Sequence, residues 1–464
     1  MDSVFDRLKD FFQAQGFAKT YWIAYSGGLD SHVLLHLCNE LRKNHPLNLR
    51  AVYVNHQLSP NAAAWGAHCA AICHDLQIEL IQKNIDLSRI TDQSPEEAAR
   101  LARYQVFAEL IASSDILITA HQQDDQAETV LLQLLRGAGP KGLSAMPQIK
   151  PFAKGFHARP LLDLSRAELK KYAENQQLTW IEDESNGDTG YTRNFLRHDV
   201  LPILKKRWPS VTKTLARVAD NCADTQALLE AVAAEDLKNV TCHSHAQTCH
   251  PRTQPRHSRE SGNLSSELSV KKLLQLPPAR QRQVLREWFR RLQFPIPSTV
   301  KMQQIQDHFL QASADKSPHI IWGNVELRRF HDQLYAMKCL NPHDAKKTYK
   351  WNVSEPLILP NLGTLQASRT TGAGLRADIT HLDVCFRQGG ERCRLPGREN
   401  HHDLKKLFQQ WQVPPWQRDR IPLLYFEGKL VAVPGFYIDP GFAASGVEEG
   451  LSVEVNHDGS QEIA

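Results

Sequence analysis

The segment Ser26-Gly27-Gly28-Leu29-Asp30-Ser31 joins an apolar run at residues 21–25 to a helical pattern over residues 31–44, and no other feature restricts the fold as much. Two glycines let a backbone turn tightly and bring its N–H groups against an anion. The helix start that follows adds unpaired N–H donors and the positive end of a dipole. Ser26 and Ser31 supply hydroxyls to the same oxygens. The segment therefore reads as a phosphate cradle at the carboxyl end of a first strand. The competing reading is a plain strand-to-helix turn capped by Asp30 or Ser31.

The surrounding pattern fits the cradle. Short β-branched runs at 21–25, 49–55, 78–85 and 115–120 alternate with helical stretches at 31–44, 61–76 and 94–113, the signature of parallel βαβ units. Ser94-Pro95-Glu96-Glu97 is a capping box with proline at the first helical position, and Ser165-Arg166-Ala167-Glu168 is a second box. Ala127, Val130, Leu131, Leu134 and Leu135 form a one-sided helical stripe directly after the fourth strand. The expected fold class is α/β: a parallel-sheet nucleotide-binding domain over residues 1–209, a mainly helical domain over 210–345, and a small α/β C-terminal domain over 351–455 with an acidic tail expected to fray. Residues 241–267 are polar, almost without aliphatics, and read as a flexible insert.

A chain of 464 residues has room for two or three cores. With 41% hydrophobic residues, mean hydropathy of −0.44 and no apolar run of bilayer length, no membrane partner is expected. The first ten residues lack the basic start and apolar middle of a secretory signal, which makes the cytoplasm the expected compartment. Nine cysteines without a Cys-x-x-Cys spacing argue against a disulfide framework or a zinc ribbon. Cys242, His243, His245, Cys249 and His250 supply zinc-ligand types, but at no common finger spacing. From Arg387 to Arg420, eight basic and four acidic residues give an excess equal to the +4 of the whole chain. Such a local positive field suits a phosphate backbone, or is an ordinary solvated face.

Two other phosphate motifs fail. Gly-x-x-x-x-Gly-Lys-Ser/Thr is absent, and Gly137-Ala138-Gly139-Pro140-Lys141-Gly142 follows a helix instead of a strand and is interrupted by Pro140. Ser-Gly-Gly-x-Asp-Ser after a first strand instead resembles the PP-loop of the N-type ATP pyrophosphatases. Val54-Asn55-His56-Gln57-Leu58, residues 97–104, 119–129, 136–146, 159–162, 180–186 and 191–197, then Lys405-Lys406-Leu407-Phe408 through Arg418-Asp419-Arg420, together resemble the tRNA(Ile)-lysidine synthase family.

The resemblance implies a ligase that uses ATP and Mg2+ to adenylate C2 of the wobble cytidine of tRNA(Ile) with a CAU anticodon. L-lysine then attacks, releasing AMP and pyrophosphate. ATP would be held by Ser26, Gly27, Gly28, Leu29, Asp30, Ser31, Asn55 and His56, with Asp30 organising the metal. Asp30, His121 and Asp125 are the expected catalytic residues. Asp125 and Glu128, three apart at a helix start, with Arg193 for the α-carboxylate, are the expected lysine site; the alternative is that these acids merely complement a helix dipole. His121 is either a base or a structural histidine. Arg100 and Arg103 either reach substrate or are solvated. Gln122 stands where the family usually has a second histidine, and an amide cannot carry a proton. The implied tRNA-binding face is Arg387, Arg392, Arg394, Lys405, Lys406, Arg418 and Arg420, with Trp411 and Trp416 either stacking on RNA or packing in a core. A tRNA thiolase would need a sulfur-carrying cysteine pair, and a non-catalytic tRNA-binding protein would release no AMP. The pairing of two copies into a homodimer is left open by the sequence.

Overall fold

The computed structural model describes residues 2–15, 20–55, 61–85, 95–182, 184–241, 267–313, 316, 318–396 and 401–456. The chain divides into two compact units, Met1–Leu228 and Leu229–Ala464. Ser94, His56, the candidate zinc ligands, most of the polar insert and the terminal tail lie outside the described residues.

In the first unit the elements run α1 (Asp2–Gln15), β1 (Tyr21–Ala24), α2 (Leu29–Arg42), β2 (Leu49–Asn55), α3 (Ala62–Asp75), β3 (Glu79–Asn84), α4 (Pro95–Leu110), β4 (Ile116–Ile118) and α5 (Gln123–Leu135). Then come α6 (Pro140–Leu143), β5 (Ile149–Phe152), β6 (Gly155–Ala158), α7 (Arg166–Asn175), α8 (Thr192–Phe195), α9 (Leu201–Arg207) and the long α10 (Val211–Val240), which continues past Leu228 into the second unit. The sheet order is β3-β2-β1-β4-β6-β5, parallel except for the edge strand β5. β5 and β6 form a hairpin that the sequence reading did not anticipate.

Strand alternation sorts the core into two layers. Tyr21, Ile23, Ala51, Tyr53, Ile116 and Ile118 join the core that contains residues of α1, α2 and α7. Trp22, Val52 and Leu117 pack with Phe107 of α4 and with Ile111 just after it. Both faces are covered, as expected for a parallel sheet whose strands are nearly continuous apolar runs. The capping box at Ser165 and Glu168 forms as expected.

The second unit contains α11 (Val270–Leu274), α12 (Pro278–Arg291) and α13 (Thr299–Gln304). Its middle segment remains mainly helical but adds the antiparallel sheet β7-β10-β9-β8, formed by β7 (Glu267–Ser269), β8 (His319–Trp322), β9 (Val325–Phe330) and β10 (Gln333–Lys338). Trp288, Phe289 and Leu285 of α12 pack on it. The C-terminal segment carries a five-stranded and a four-stranded sheet, the hairpin of β11 (Arg392–Arg394) and β12 (His401–Asp403), and two short helices at Leu404–Gln410 and Pro415–Arg418.

Candidate active site

The glycine turn is fixed from outside by the segment that follows α7. Ile181 N donates to Gly27 O at 2.9 Å. A Cβ on Gly27 would lie 2.5 Å from Ile181 Cδ1 and 2.9 Å from Cys69 Sγ, and φ is +81°, so glycine is required there twice over. Gly28 is the N-cap of α2 and no side chain among the described residues caps the helix, which leaves its first N–H groups to an anion. Ser26 Oγ and Ser31 Oγ are 3.1 Å apart, and Ser31 Oγ donates to Gly28 O at 2.9 Å, so both hydroxyls sit on the turn.

Asp30 stands in the first turn of α2. Its Oδ1 is buried and has no hydrogen-bond partner among the described residues. Burial, with the Asp125 carboxylate adding to it, pushes its pKa up to about 6. A buried carboxylate with an unpartnered oxygen beside a second carboxylate is suited to a divalent cation, so these residues fit the Mg2+ that accompanies ATP. Asn55 ends β2 beside the turn-bearing strand β1.

The helix α5 presents the acidic residues. Gln122 is its N-cap: Asp124 N donates to Gln122 Oε1 at 2.6 Å, and Gln122 N donates to Asp125 Oδ2 at 3.1 Å, a complete capping box. Gln122 thus has a positioning job that needs an acceptor oxygen and no titrating proton. Glu128 is 0% exposed, and both of its oxygens are engaged: Arg193 Nε donates at 2.8 Å and Arg197 Nε at 2.7 Å. Arg197 also reaches Asp125 Oδ1 at 3.0 Å. Lys205 and the backbone N–H of Arg166 hold Asp124. The structure therefore brings Asp125, Glu128 and Arg193 together and adds Arg197, to which the sequence reading gave no role. Its four-residue spacing from Arg193 on a helical stretch was the available signal.

His121 lies at the carboxyl end of β4. Thr119 Oγ1 is 2.7 Å from His121 Nδ1 and 2.9 Å from His157 Nε2, and Arg159 Nη2 donates to His157 Nδ1 at 3.2 Å. Burial, followed by Arg159, Arg193, Arg100 and Arg103, holds His121 well below the ordinary imidazole range. Burial and Arg159 push His157 down to about 2. Both rings are neutral at pH 7.

The seven basic residues of the second unit divide. Arg392 and Arg394 flank buried Cys393 on β11 and are exposed, as are Lys405 and Lys406 at the start of the helix that follows β12. Arg418, by contrast, donates from Nε to Val413 O, and Arg420 donates from its two Nη atoms to Asn341 O and Asn361 O, each at 2.8 Å. Arg387 is paired with Asp419. Those three spend donors on the protein itself. Trp416 lies between the rings of Phe330 and Tyr335, and Trp411 stacks on Phe436, so both tryptophans pack internally.

Family models place this geometry. A model described as the PP-loop domain matches residues 2–204, the TilS substrate binding domain matches 268–335, and the TilS substrate C-terminal domain matches 382–455. The chain is 44% identical to the tRNA(Ile)-lysidine synthase of Coxiella burnetii over 94% of this chain and 93% of that one. It is 38% identical to that of Methylococcus capsulatus (90% and 91% covered) and 37% identical to that of Legionella pneumophila strain Paris (97% of each). On a parallel sheet with a glycine turn at its first strand, and with relatives that match it nearly end to end, the chain belongs to the tRNA(Ile)-lysidine synthase family.

Proposed function

We propose that this enzyme joins lysine to C2 of the wobble cytidine of tRNA(Ile) carrying a CAU anticodon, at the site built by the glycine turn and the start of α5. The C2 oxygen attacks the α-phosphorus of ATP, the bond to the bridging oxygen breaks, and pyrophosphate leaves. The lysine ε-nitrogen then attacks C2, and AMP departs with the former carbonyl oxygen. The observation that carries this reading is the uncapped start of α2 behind a glycine turn pinned by Ile181, with the unpartnered Asp30 carboxylate oxygen beside it.

The residues divide the work. The turn N–H groups, Ser26 and Ser31 hold the pyrophosphate portion, while Asn55 at the end of β2 and His56 after it belong to the nucleotide side. Asp30 would hold Mg2+, which when bound screens the phosphoryl charge. A free lysine ammonium has a pKa of about 10.4, so presenting a neutral amine at pH 7 costs about 4.6 kcal/mol unless the site helps. Asp125, whose side chain is 13% exposed, is placed to receive the ammonium and accept its proton. Glu128, fully enclosed, braces Arg193 and Arg197, and Arg193 faces the substrate α-carboxylate. Exposed Arg392, Arg394, Lys405 and Lys406 provide a phosphate-binding face for the tRNA. The use of ATP, lysine and tRNA as reactants supports a cytoplasmic location. Incubating the full chain with ATP, labelled lysine and unmodified tRNA(Ile) tests the reading: label enters the RNA with equal release of AMP and pyrophosphate. Nucleotide cleavage without labelled RNA, or no cleavage, overturns it.

A further inference from the structure

Among the described residues, the chain Arg159–His157–Thr119–His121 gives every hydrogen an acceptor in one arrangement. A guanidinium can donate but never accept, so His157 Nδ1, 3.2 Å from Arg159 Nη2, must be an acceptor. The only proton of neutral His157 is then on Nε2, and it goes to Thr119 Oγ1 at 2.9 Å. The Thr119 hydroxyl hydrogen has no acceptor among the described residues other than His121 Nδ1 at 2.7 Å, so Thr119 donates to it. His121 Nδ1 is thereby used as an acceptor, and the ring proton is forced onto Nε2. We infer that Thr119, His157 and Arg159 are positioning residues that lock His121 in its Nε2–H form, making it a hydrogen-bond donor to an anionic phosphoryl oxygen of the nucleotide and not a general base.

The fold supplies the chain for a geometric reason. Parallel pairing of β4 with β6 sets Leu117 opposite His157, and Thr119, two residues further on, lies on the same face of the sheet. Thr119 N is bonded to Ala158 O at 3.1 Å, which fixes its backbone against β6. His157 is 0% exposed and is packed by the rings of Tyr104 and Phe152. Arg159 is anchored by a second donation to Pro147 O at 2.7 Å. The guanidiniums of Arg100, Arg103, Arg159 and Arg193 make the surroundings of His121 positive, a field that suits an anion and disfavours an imidazolium. A donor on a rigid strand end, fixed before the substrate arrives, is the arrangement that stabilises charge developing on an oxygen.

The role of the donor rests on the adenylation reading above, but the tautomer does not, and the two are measured separately. In full-length protein labelled with 15N-histidine, long-range proton–nitrogen correlation reads the protonation of each ring nitrogen, and the His121 signals are those missing from His121→Asn. The expected spectrum shows His121 protonated on Nε2 and bare on Nδ1. Thr119→Val, which removes the hydroxyl at nearly constant volume, is expected to give a mixture of tautomers and to lower kcat for pyrophosphate release about ten- to hundredfold with little change in KM for ATP. Thr119→Ser is expected to restore both the tautomer and the rate. Nδ1-protonated His121 in the unaltered chain, or an unchanged tautomer in Thr119→Val, overturns the inference. If Thr119→Val does not fold, the spectrum of the unaltered chain alone decides. A correct tautomer in a chain that forms no lysidine would overturn the function and leave the lock standing.

Discussion

In the first unit, Glu128 has no exposed surface and gives both oxygens to Arg193 and Arg197, while in the second, Arg392, Arg394, Lys405 and Lys406 stand exposed on a hairpin and a short helix. Charge is used in two different ways. In the cluster Glu128 is fully desolvated and its partners are mostly so, and removing a partner leaves charge less compensated in a setting of lowered dielectric. On the exposed face water and salt already screen each cation, so its energy appears only when a phosphate replaces the counterions. Arg418 and Arg420 show that sequence neighbourhood does not decide which kind of charge a residue becomes. They lie in the same basic stretch yet hold backbone carbonyls.

Five substitutions sharpen this comparison. The largest effect is expected from Glu128→Ala, which removes the buried carboxylate shared by two guanidiniums: a stability loss of about 3–5 kcal/mol in denaturant unfolding, together with loss of lysidine formation. Stability unchanged within experimental error would mean that the cluster is solvated after all. Arg420→Ala is expected to cost about 1–3 kcal/mol by leaving the Asn341 and Asn361 carbonyls without their donor, an effect that urea titration would detect even in the absence of tRNA.

Asp30→Asn is expected to act in the opposite direction. The Asp30 pKa is raised from 3.8 to about 6, so the contribution of this group to stability is fully present below pH 3.8 and is lost as pH rises through about 6. At pH 7 the ligand-free Asn variant should therefore be more stable than the unaltered chain, by about 1–2 kcal/mol, and inactive with Mg-ATP. A thermal-unfolding series from pH 4 to 8 checks this, and parallel curves for the two proteins would refute the burial of the charge. The smallest change in stability, within about 0.5 kcal/mol, is expected for Arg392→Ala and Arg394→Ala. For these, tRNA affinity should fall and the slope of log affinity against log salt should lessen by about 0.7–0.9 for each phosphate that is no longer neutralised. A filter-binding series at several salt concentrations would show it.

Local signals in the chain carried far. The four parallel strands and the glycine turn followed from short apolar runs punctuated by helical stripes, because strand and helix periods are properties of neighbouring residues. The box at Ser165 was equally readable, since a cap is made within four residues. The hairpin of β5 and β6 was missed: Pro151 and Lys154 interrupt the apolar alternation, and only pairing to β4 gives those residues a strand's place. The sheet in the middle segment was hidden for a related reason, since β7 is three residues long and separated from its partner β10 by more than sixty positions.

The active-site chemistry divides along the same line. Sequence alone determined that a glycine turn faces a helix start and that acids open α5, because those arrangements span only a few residues. Tertiary structure decided what each charged or titratable group does. Arg197 closes on Glu128 across 69 positions, Thr119 meets His157 across 38, and Ile181 seals Gly27 from a distant segment. Burial, partner and tautomer depend on which strands end side by side, and that is settled by the packing of the whole sheet, which no short window of residues contains.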